Sequence, residues 1–505
     1  MSLHIYPLTK TAESVQHYTV RINGIPVTPD TARVSAVPYN RRWPGHQRSI
    51  DQTELVNFVS FAADEALDFE ITPPTPVDRV VVRPLSLGIT PTVENGVIRF
   101  RMEKPAYCTV EPYGRHDALH IFADPMPTYA DVNPDDPNVL YYGPGFHDAG
   151  IIDLKSGQTL FIDEGAVVYA CVTATDAENI AILGRGILDN SRNREEILFE
   201  ANVEGNDEAV ENAFRRHTIQ PEYCTNVRIE GITIRDSLVY NIRPVGCRNL
   251  DIRNVKAIGC WRYNADGIDM HNCENVRIDH CFLRVFDDAI CIKGFDCFYE
   301  KDVDAAVMAA LYHGGQTYDV FRNVHITDIT IWNDWGKSLE IGAETKGREI
   351  CDVLYENCHI IHVCASPIDC MSVDDAEIHD LTWRNIDIEY DEVIPQPCIQ
   401  QRDDVRYEDV PRNADYAPPL ICAHLMFHHE YSRGSSRLGR IRHLRYENIR
   451  LTGRQPITVH FNGWSAESDL RDISIRGLYH NGERITQLPD EQMRIGPYCS
   501  GIVLE

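Results

Sequence analysis

Apolar and polar positions alternate from the start of the ordered pattern. Tyr18, Val20 and Ile22 are interleaved with Thr19 and Arg21, and the run ends at Asn23-Gly24. Period-two alternation predicts a half-buried strand, and Asn-Gly is a two-residue hairpin turn signal. Phe58 to Ile71 alternates again and predicts another strand pair. Asn95-Gly96 leads into Val97, Ile98, Phe100 and Met102, a second hairpin signal. Several short strands at this spacing predict an antiparallel β-sandwich. Pro125-Met126-Pro127 and the stretch from Asp131 to Pro137 read as a linker. The chain therefore divides into a sandwich over 1–135 and a second domain over 136–505.

From about residue 139 the pattern becomes a repeat. Thr225-Asn226-Val-Arg-Ile is followed by Arg248-Asn249-Leu-Asp-Ile, Glu274-Asn275-Val-Arg-Ile and Arg322-Asn323-Val-His-Ile, with an earlier copy at Glu178 and weaker ones near Val353, Leu381, Leu444 and Ile473. The repeated Asn steps by 23, 26 and 48 residues, so the last step is two coils or one coil with an insertion. Two short β-branched strands per unit, with Asn or Gly at the corners, predict a parallel β-helix. A leucine-rich repeat shares the period but needs a leucine ladder, which is absent. Three segments break the repeat: 191–222, 295–320 (where Lys301 to Leu311 is Ala-rich and helix-like) and 392–437. Inserts on a solenoid tend to wall a binding groove.

Composition narrows the function. Forty-eight Lys and Arg stand against 76 Asp and Glu, a net charge of −28. Such a surface repels phosphate and speaks against nucleic acid, and less strongly against any polyanion. No apolar run reaches the ~18 residues of a membrane span. No signal peptide is visible at the N-terminus, and 15 of the 16 cysteines lie at or after Cys171, many in apolar contexts. These read as buried reduced thiols, which leads to an expected cytoplasmic location.

One pair of coils concentrates carboxylates: Asn264-Ala-Asp266-Gly-Ile-Asp269, then Asp287-Asp288-Ala-Ile-Cys-Ile-Lys293. Asp266 and Asp287 are 21 residues apart, about one coil. Stacked coils would bring Asp266, Asp287 and Asp288 onto one patch, about 4.8 Å per step. Asp287 and Asp288 share a face only if the backbone bends there. Crowded carboxylates hold at least one proton, which puts a donor beside acceptors, as glycosidic cleavage requires. Spacing alone leaves two other readings open, acidic decoration of turns and a hard cation such as calcium.

Residues 238–294 resemble the polygalacturonase-like glycoside hydrolases of family 28. The run Leu238-Val-Tyr-Asn-Ile-Arg-Pro-Val-Gly-Cys-Arg-Asn249 is similar to the family's coil before the active site. Asn264-Ala-Asp266 resembles its Asn-Thr-Asp motif, and Asp287-Asp288 its Asp-Asp motif. Recognisable similarity covers about 139–390. The resemblance implies Asp287 as general acid, Asp266 and Asp288 holding the water as base, and inversion. Two departures matter. Asp334-Trp-Gly-Lys337 stands where the family has Gly-His-Gly, and Ser366-Pro-Ile-Asp369 stands where its Arg-Ile-Lys would grip galacturonate. Losing both cations argues against pectic acid and for a neutral or small glycan. The sandwich-then-solenoid order also resembles the family 49 dextranase and isopullulanase group.

The fold expected is all-β, a right-handed parallel β-helix after an antiparallel sandwich. The function expected is an inverting glycoside hydrolase, with inserts that would fit exo action. A galacturonide hydrolase, a lyase or epimerase, and a non-catalytic glycan-binding helix are the rivals. Catalysis falls to Asp266, Asp287 and Asp288. Asn264, Asp269, Lys293, Trp261, Tyr263, His313, Trp335, Lys337 and Glu340 are candidates for binding the sugar, with packing the competing role for the aromatic residues and His313. No cofactor is expected, and no metal. Phe427-His428-His429-Glu430 has no third well-spaced ligand. The partner expected is a carbohydrate, and a homo-oligomer stays open.

Overall fold

Asn23-Gly24 and Asn95-Gly96 both turn with positive φ, 50° and 77°, then 52° and 76°. Each closes a two-residue hairpin, Thr19–Ile22 on Ile25–Val27 and Thr92–Glu94 on Val97–Met102. The coordinates are a computed structural model describing all residues except 1–2, 10–14, 16, 42–49, 128, 130–131, 194–216, 296–308, 403, 429–430 and 433–434. The two hairpins lie in one sheet, joined through Leu67–Thr72. A second sheet runs through Thr53–Ala63, Leu119–Asp124 and Tyr107–Glu111. Val20, Ile22, Phe69 and Phe100 from the first pack with Val59, Phe61, Val110 and Ile121 from the second, which makes a sandwich. Its pairing is antiparallel except where Leu119–Asp124 runs parallel to Thr53–Ala63. Thr53–Ala63 and Leu67–Thr72, expected as a strand pair, cross between the sheets instead.

Coils begin at Val139–Tyr142 and stack in parallel register to Cys499–Leu504. The whole is the expected right-handed parallel β-helix behind a sandwich. Inward positions form one continuous apolar column, for example Ile252, Ile278, Ile326, Tyr355 and Trp383. Stacking removes this column from water, and each coil needs its neighbour for that. The repeated asparagines take a left-handed backbone, φ 57–58° from Asn226 to Asn323. Their side chains form a ladder: Asn226 donates to Asn179 (2.8 Å), Asn249 to Asn226 (2.8 Å), Asn275 to Asn249 (3.0 Å) and Asn323 to Asn275 (2.7 Å). The ladder and the register Glu274↔Arg322 resolve the 48-residue step as one coil with an insertion.

Of the interrupting segments, 194–216 and 296–308 lie outside the described residues, including most of the helix-like stretch at Lys301; residues 309–311 are helical. The third insert sends Cys398–Gln400 to pair in parallel with Tyr39–Arg41 of the sandwich segment. Fifteen cysteines are described; all are free and all but Cys499 are buried. Buried charge joins sandwich to solenoid. Lys256 Nζ sits 2.9 Å from Asp124, His362 bridges Glu111 (3.0 Å) and Asp391 (2.9 Å), and Arg115 spans Asp334 (3.0 Å) and Asp391 (2.8 Å).

Asn249→Ala removes two ladder bonds and leaves a β-carbon in a left-handed corner. It should destabilise the chain by about 1–3 kcal/mol, read as a lower urea midpoint at unchanged slope.

Candidate active site

Three successive coils bend at the same place, just before the strands Ile268–His271, Ile290–Lys293 and Leu339–Ile341. Backbone bonds stitch the bends together: Gly267 N donates to Asp288 O (2.8 Å), Ile268 N to Ala289 O (2.9 Å), Ala289 N to Lys337 O (2.8 Å) and Ile290 N to Ser338 O (3.0 Å). The register Ile268↔Ile290↔Leu339 sets Asp266 in step with Asp288 and Lys337, and Asp287 in step with Gly336. The equivalent of Asp266 is thus one residue later than the 21-residue spacing implied. The chain is bent at 286–287, so the strand rule that would part Asp287 from Asp288 does not apply, and both carboxylates are partly exposed.

Neighbouring residues hold this bend. Asn333 Nδ2 donates to the carbonyls of Asp287 (2.7 Å) and Lys337 (3.1 Å). A β-carbon on Gly336 would fall 2.6 Å from Asp287 Oδ1, so glycine is required for the next coil to close over that carboxylate. The Lys337 backbone N–H donates to Asp288 Oδ1 at 2.8 Å. Trp335 stacks on Phe286 with centroids 5.9 Å apart.

Two lysines thread the acids. Lys293 Nζ lies 2.8 Å from Asp269, 3.7 Å from Glu344 and 4.0 Å from Asp266, and 5.2 Å from the ring of Tyr240. Lys337 Nζ lies 2.5 Å from Glu340 and 2.6 Å from Asp369. Burial raises Asp266 well above the usual carboxylate range, and Asp269 and Asp287 raise it further. Burial and then Asp288 do the same to Asp287. Asp269 is raised by burial to about 6, held down by Lys293. Glu340 is raised by burial and Asp288. Burial opposes the charged form of both lysines, yet Asp269 and Asp369 lead the attractions that raise them. The patch therefore keeps carboxyl protons at pH values where isolated aspartates have lost theirs, beside Asp288, whose Oδ1 is held as an acceptor.

The structure gathers Asp266, Asp269, Asp287, Asp288, Lys293, Lys337 and Glu340 around one set of stacked bends. Asn264 is the corner that presents Asp266, at φ 54°. Trp335 is half-buried beside the Asp287 bend. Two sugar-binding candidates, Trp261 and Tyr263, are corrected, and His313 is engaged by neighbours outside the aspartate patch. Trp261 is buried, its Nε1 donates to Asp236 (2.8 Å) and Arg262 covers its ring. Tyr263 is buried in the solenoid column against Phe286. His313 pairs with Asp176 (2.6 Å) and stacks on Tyr223 (3.8 Å). Tyr263 fills the coil because the column needs a large apolar group at that register. Tyr240, Asn333 and Tyr431 were missed. Tyr431 feels the charges of Glu344, Asp287 and Lys293. The aromatic density at 427–431 was the available signal.

Asp288, Cys291 and Glu340 offer three ligand atoms within 4.8 Å of one another. The Cys291 thiol donates to Gly342 O at 2.6 Å, and burial pushes it well up, so it is a poor metal ligand.

The comparisons with known proteins bear on this same stretch. Residues 152–390 match the family described as Glycosyl hydrolases family 28. Both aspartate motifs lie inside that match, which is a little under half of the chain, and the resemblance to polygalacturonase-like glycoside hydrolases is thus shown. A "Probable polygalacturonase" of Vitis vinifera is 32% identical over 84 residues, 16% of this chain and 17% of its own. A "Polygalacturonase" of Gossypium barbadense is 25% identical over 229 residues, 43% of this chain and 53% of its own. The chain therefore spans about half, or less, of these relatives. Among solved structures, Dex49A from Penicillium minioluteum superimposes with a TM-score of 0.54 at 13% identity, covering 99% of this chain and 96% of that one. That likeness is one of fold, and it includes the sandwich.

Infrared difference spectra should show a protonated-carboxyl band persisting well above the ordinary aspartate range and weakening in both Asp287→Asn and Asp266→Asn. Complete ionisation of the wild type at pH 5 would contradict the raised values.

Proposed function

We propose that the chain is an inverting glycoside hydrolase acting on a neutral glycan. The observation that carries the reading is the stacking of three bends, which sets Asp266 against Asp288 and leaves Asp287 under Gly336. Asp287 keeps its proton through burial and the repulsion of Asp288, and gives it to the leaving oxygen. Asp288, fixed by the Lys337 N–H, holds the attacking water together with Asp266. Lys293 keeps Asp269 and Asp266 from repelling each other apart.

Charge supports a neutral substrate. Asp266, Asp269, Asp287, Asp288, Glu340, Glu344 and Asp369 surround two lysines, and each lysine already sits between carboxylates. A uronate would enter this field with both of these lysines already paired. A second reading, hydrolysis of galacturonides, is favoured by the relatives, whose names are polygalacturonase.

Asp287→Asn should lower kcat about 10²- to 10⁴-fold, measured as reducing-end release. Because Asp287 acts protonated and its pKa is raised, wild-type activity should fall as pH rises through that value. Proton NMR of the first product formed, across neutral oligosaccharides and galacturonides, reports the substrate and the anomer together. Retained configuration, or full turnover by Asp287→Asn, would overturn the assignment.

A further inference from the structure

The outer face of the strands beside the aspartates changes character along the solenoid. In register, Asp269, Cys291, Glu340 and Asp369 are followed by Cys422 and His460, and Met371 by His424 and Asn462. Acid gives way to thiol and imidazole. Burial lowers the pKa of both His424 and His460, so this stretch is uncharged at neutral pH up to Arg494, one strand beyond. Past the strand ends stand two exposed aromatics, Phe427 (38%) and Trp464 (47%), which meet edge to face at 5.4 Å and 83°.

This pair connects back to the aspartates. Tyr431 lies close enough to Glu344, Asp287 and Asp288 to feel their charges. Its ring stacks on His428 at 4.5 Å and 27°, and His428 adjoins Phe427 in the chain. Described residues on either side of Tyr431 are tied in place: His428 N donates to Ser432 Oγ (2.8 Å), Ser432 N returns to His428 O (3.0 Å), and Ser435 bonds both Asp374 and Lys346 of the two coils beneath. Trp464 sits in a turn closed by its own N–H on Ser468 O (3.0 Å).

We propose that Phe427 and Trp464 form a distal sugar-stacking subsite, reached from the catalytic aspartates along Tyr431 and His428. Sugar rings offer apolar faces to aromatic planes and hydroxyls to imidazole, and an exposed aromatic pair continuous with a hydrolytic site suits them. Four strand steps separate Ile290–Lys293 from Val459–Asn462, about 19 Å at ~4.8 Å each. Several sugar rings are needed to cover that distance. The substrate is accordingly an extended neutral chain, held well beyond the bond that is cut. This rests on the hydrolase reading and deepens it.

The test uses full-length Asp287→Asn protein, with intrinsic fluorescence and calorimetric titration against neutral disaccharides and octasaccharides of the α- and β-glucan, xylan and mannan types, and against trigalacturonate. At least one octasaccharide should bind more tightly than its disaccharide. Adding Trp464→Ala or Phe427→Ala should weaken that octasaccharide about tenfold and leave the disaccharide unchanged, with Trp464→Phe restoring most of the loss. A structural role would lower the unfolding midpoint and affect both lengths alike. Unchanged octasaccharide affinity in Trp464→Ala, or failure of every neutral octasaccharide to bind, overturns the subsite, whereas tight trigalacturonate binding that ignores both aromatics overturns the neutral-substrate reading on which it rests. Turnover surviving in Asp287→Asn counts against the role given to Asp287 and leaves the subsite standing, because the subsite is read from the length dependence of affinity.

Discussion

Each coil must lie in register on the next, and the rest of the structure follows from that constraint. A single coil cannot shield Ile278 or Ile326 from water; the stack can. The same register that aligns isoleucines inward aligns asparagines at the corners and carboxylates on the outer face. The adjacent pair Glu340 and Asp369 is thus imposed at strand spacing. Two unit charges ~4.8 Å apart repel by about 3–4 kcal/mol at an effective dielectric of 20, comparable with a domain's whole stability. The chain answers in two ways, by placing Lys293 and Lys337 among the acids and by retaining protons on Asp266 and Asp287. The second answer sets proton donors beside acceptors.

The sandwich takes part in this arrangement. Arg115 reaches from it to Asp334, whose N–H is bonded to Val285 O and whose carboxylate also accepts from Trp332 Nε1 (2.9 Å). Asp334 opens the Trp335-Gly336-Lys337 bend that covers Asp287 and binds Asp288. Buried pairs of this sort contribute little net stability but hold their partners to one geometry. In this chain the sandwich braces the bend that covers Asp287 and binds Asp288.

Much of the fold was legible because its signals are local. Asn23-Gly24 and Asn95-Gly96 specify hairpins by their own backbone preferences, and Asn226, Asn249 and Asn275 mark corners for the same reason. The aspartate patch was legible because its members fall one coil apart. What was not legible depended on neighbours. Trp261 and Tyr263 look like sugar platforms beside Asn264, yet their registers point into packed space. Phe58 to Ile71 reads as one strand pair, but a sandwich can seat successive strands in opposite sheets.

The sequence by itself determined the coil period, the corner residues, the acid-rich pair of coils and an acid, Asp369, in the stretch where the family resemblance expects Arg-Ile-Lys. Each is a property of residue type and spacing. Tertiary structure alone decided that Asp266 aligns with Asp288, that Lys337 is clamped between Glu340 and Asp369, and that Tyr431 reaches the same site from an insert. Register at a bend and the path of an insert are set by contacts between residues tens of positions apart, and no local pattern carries them.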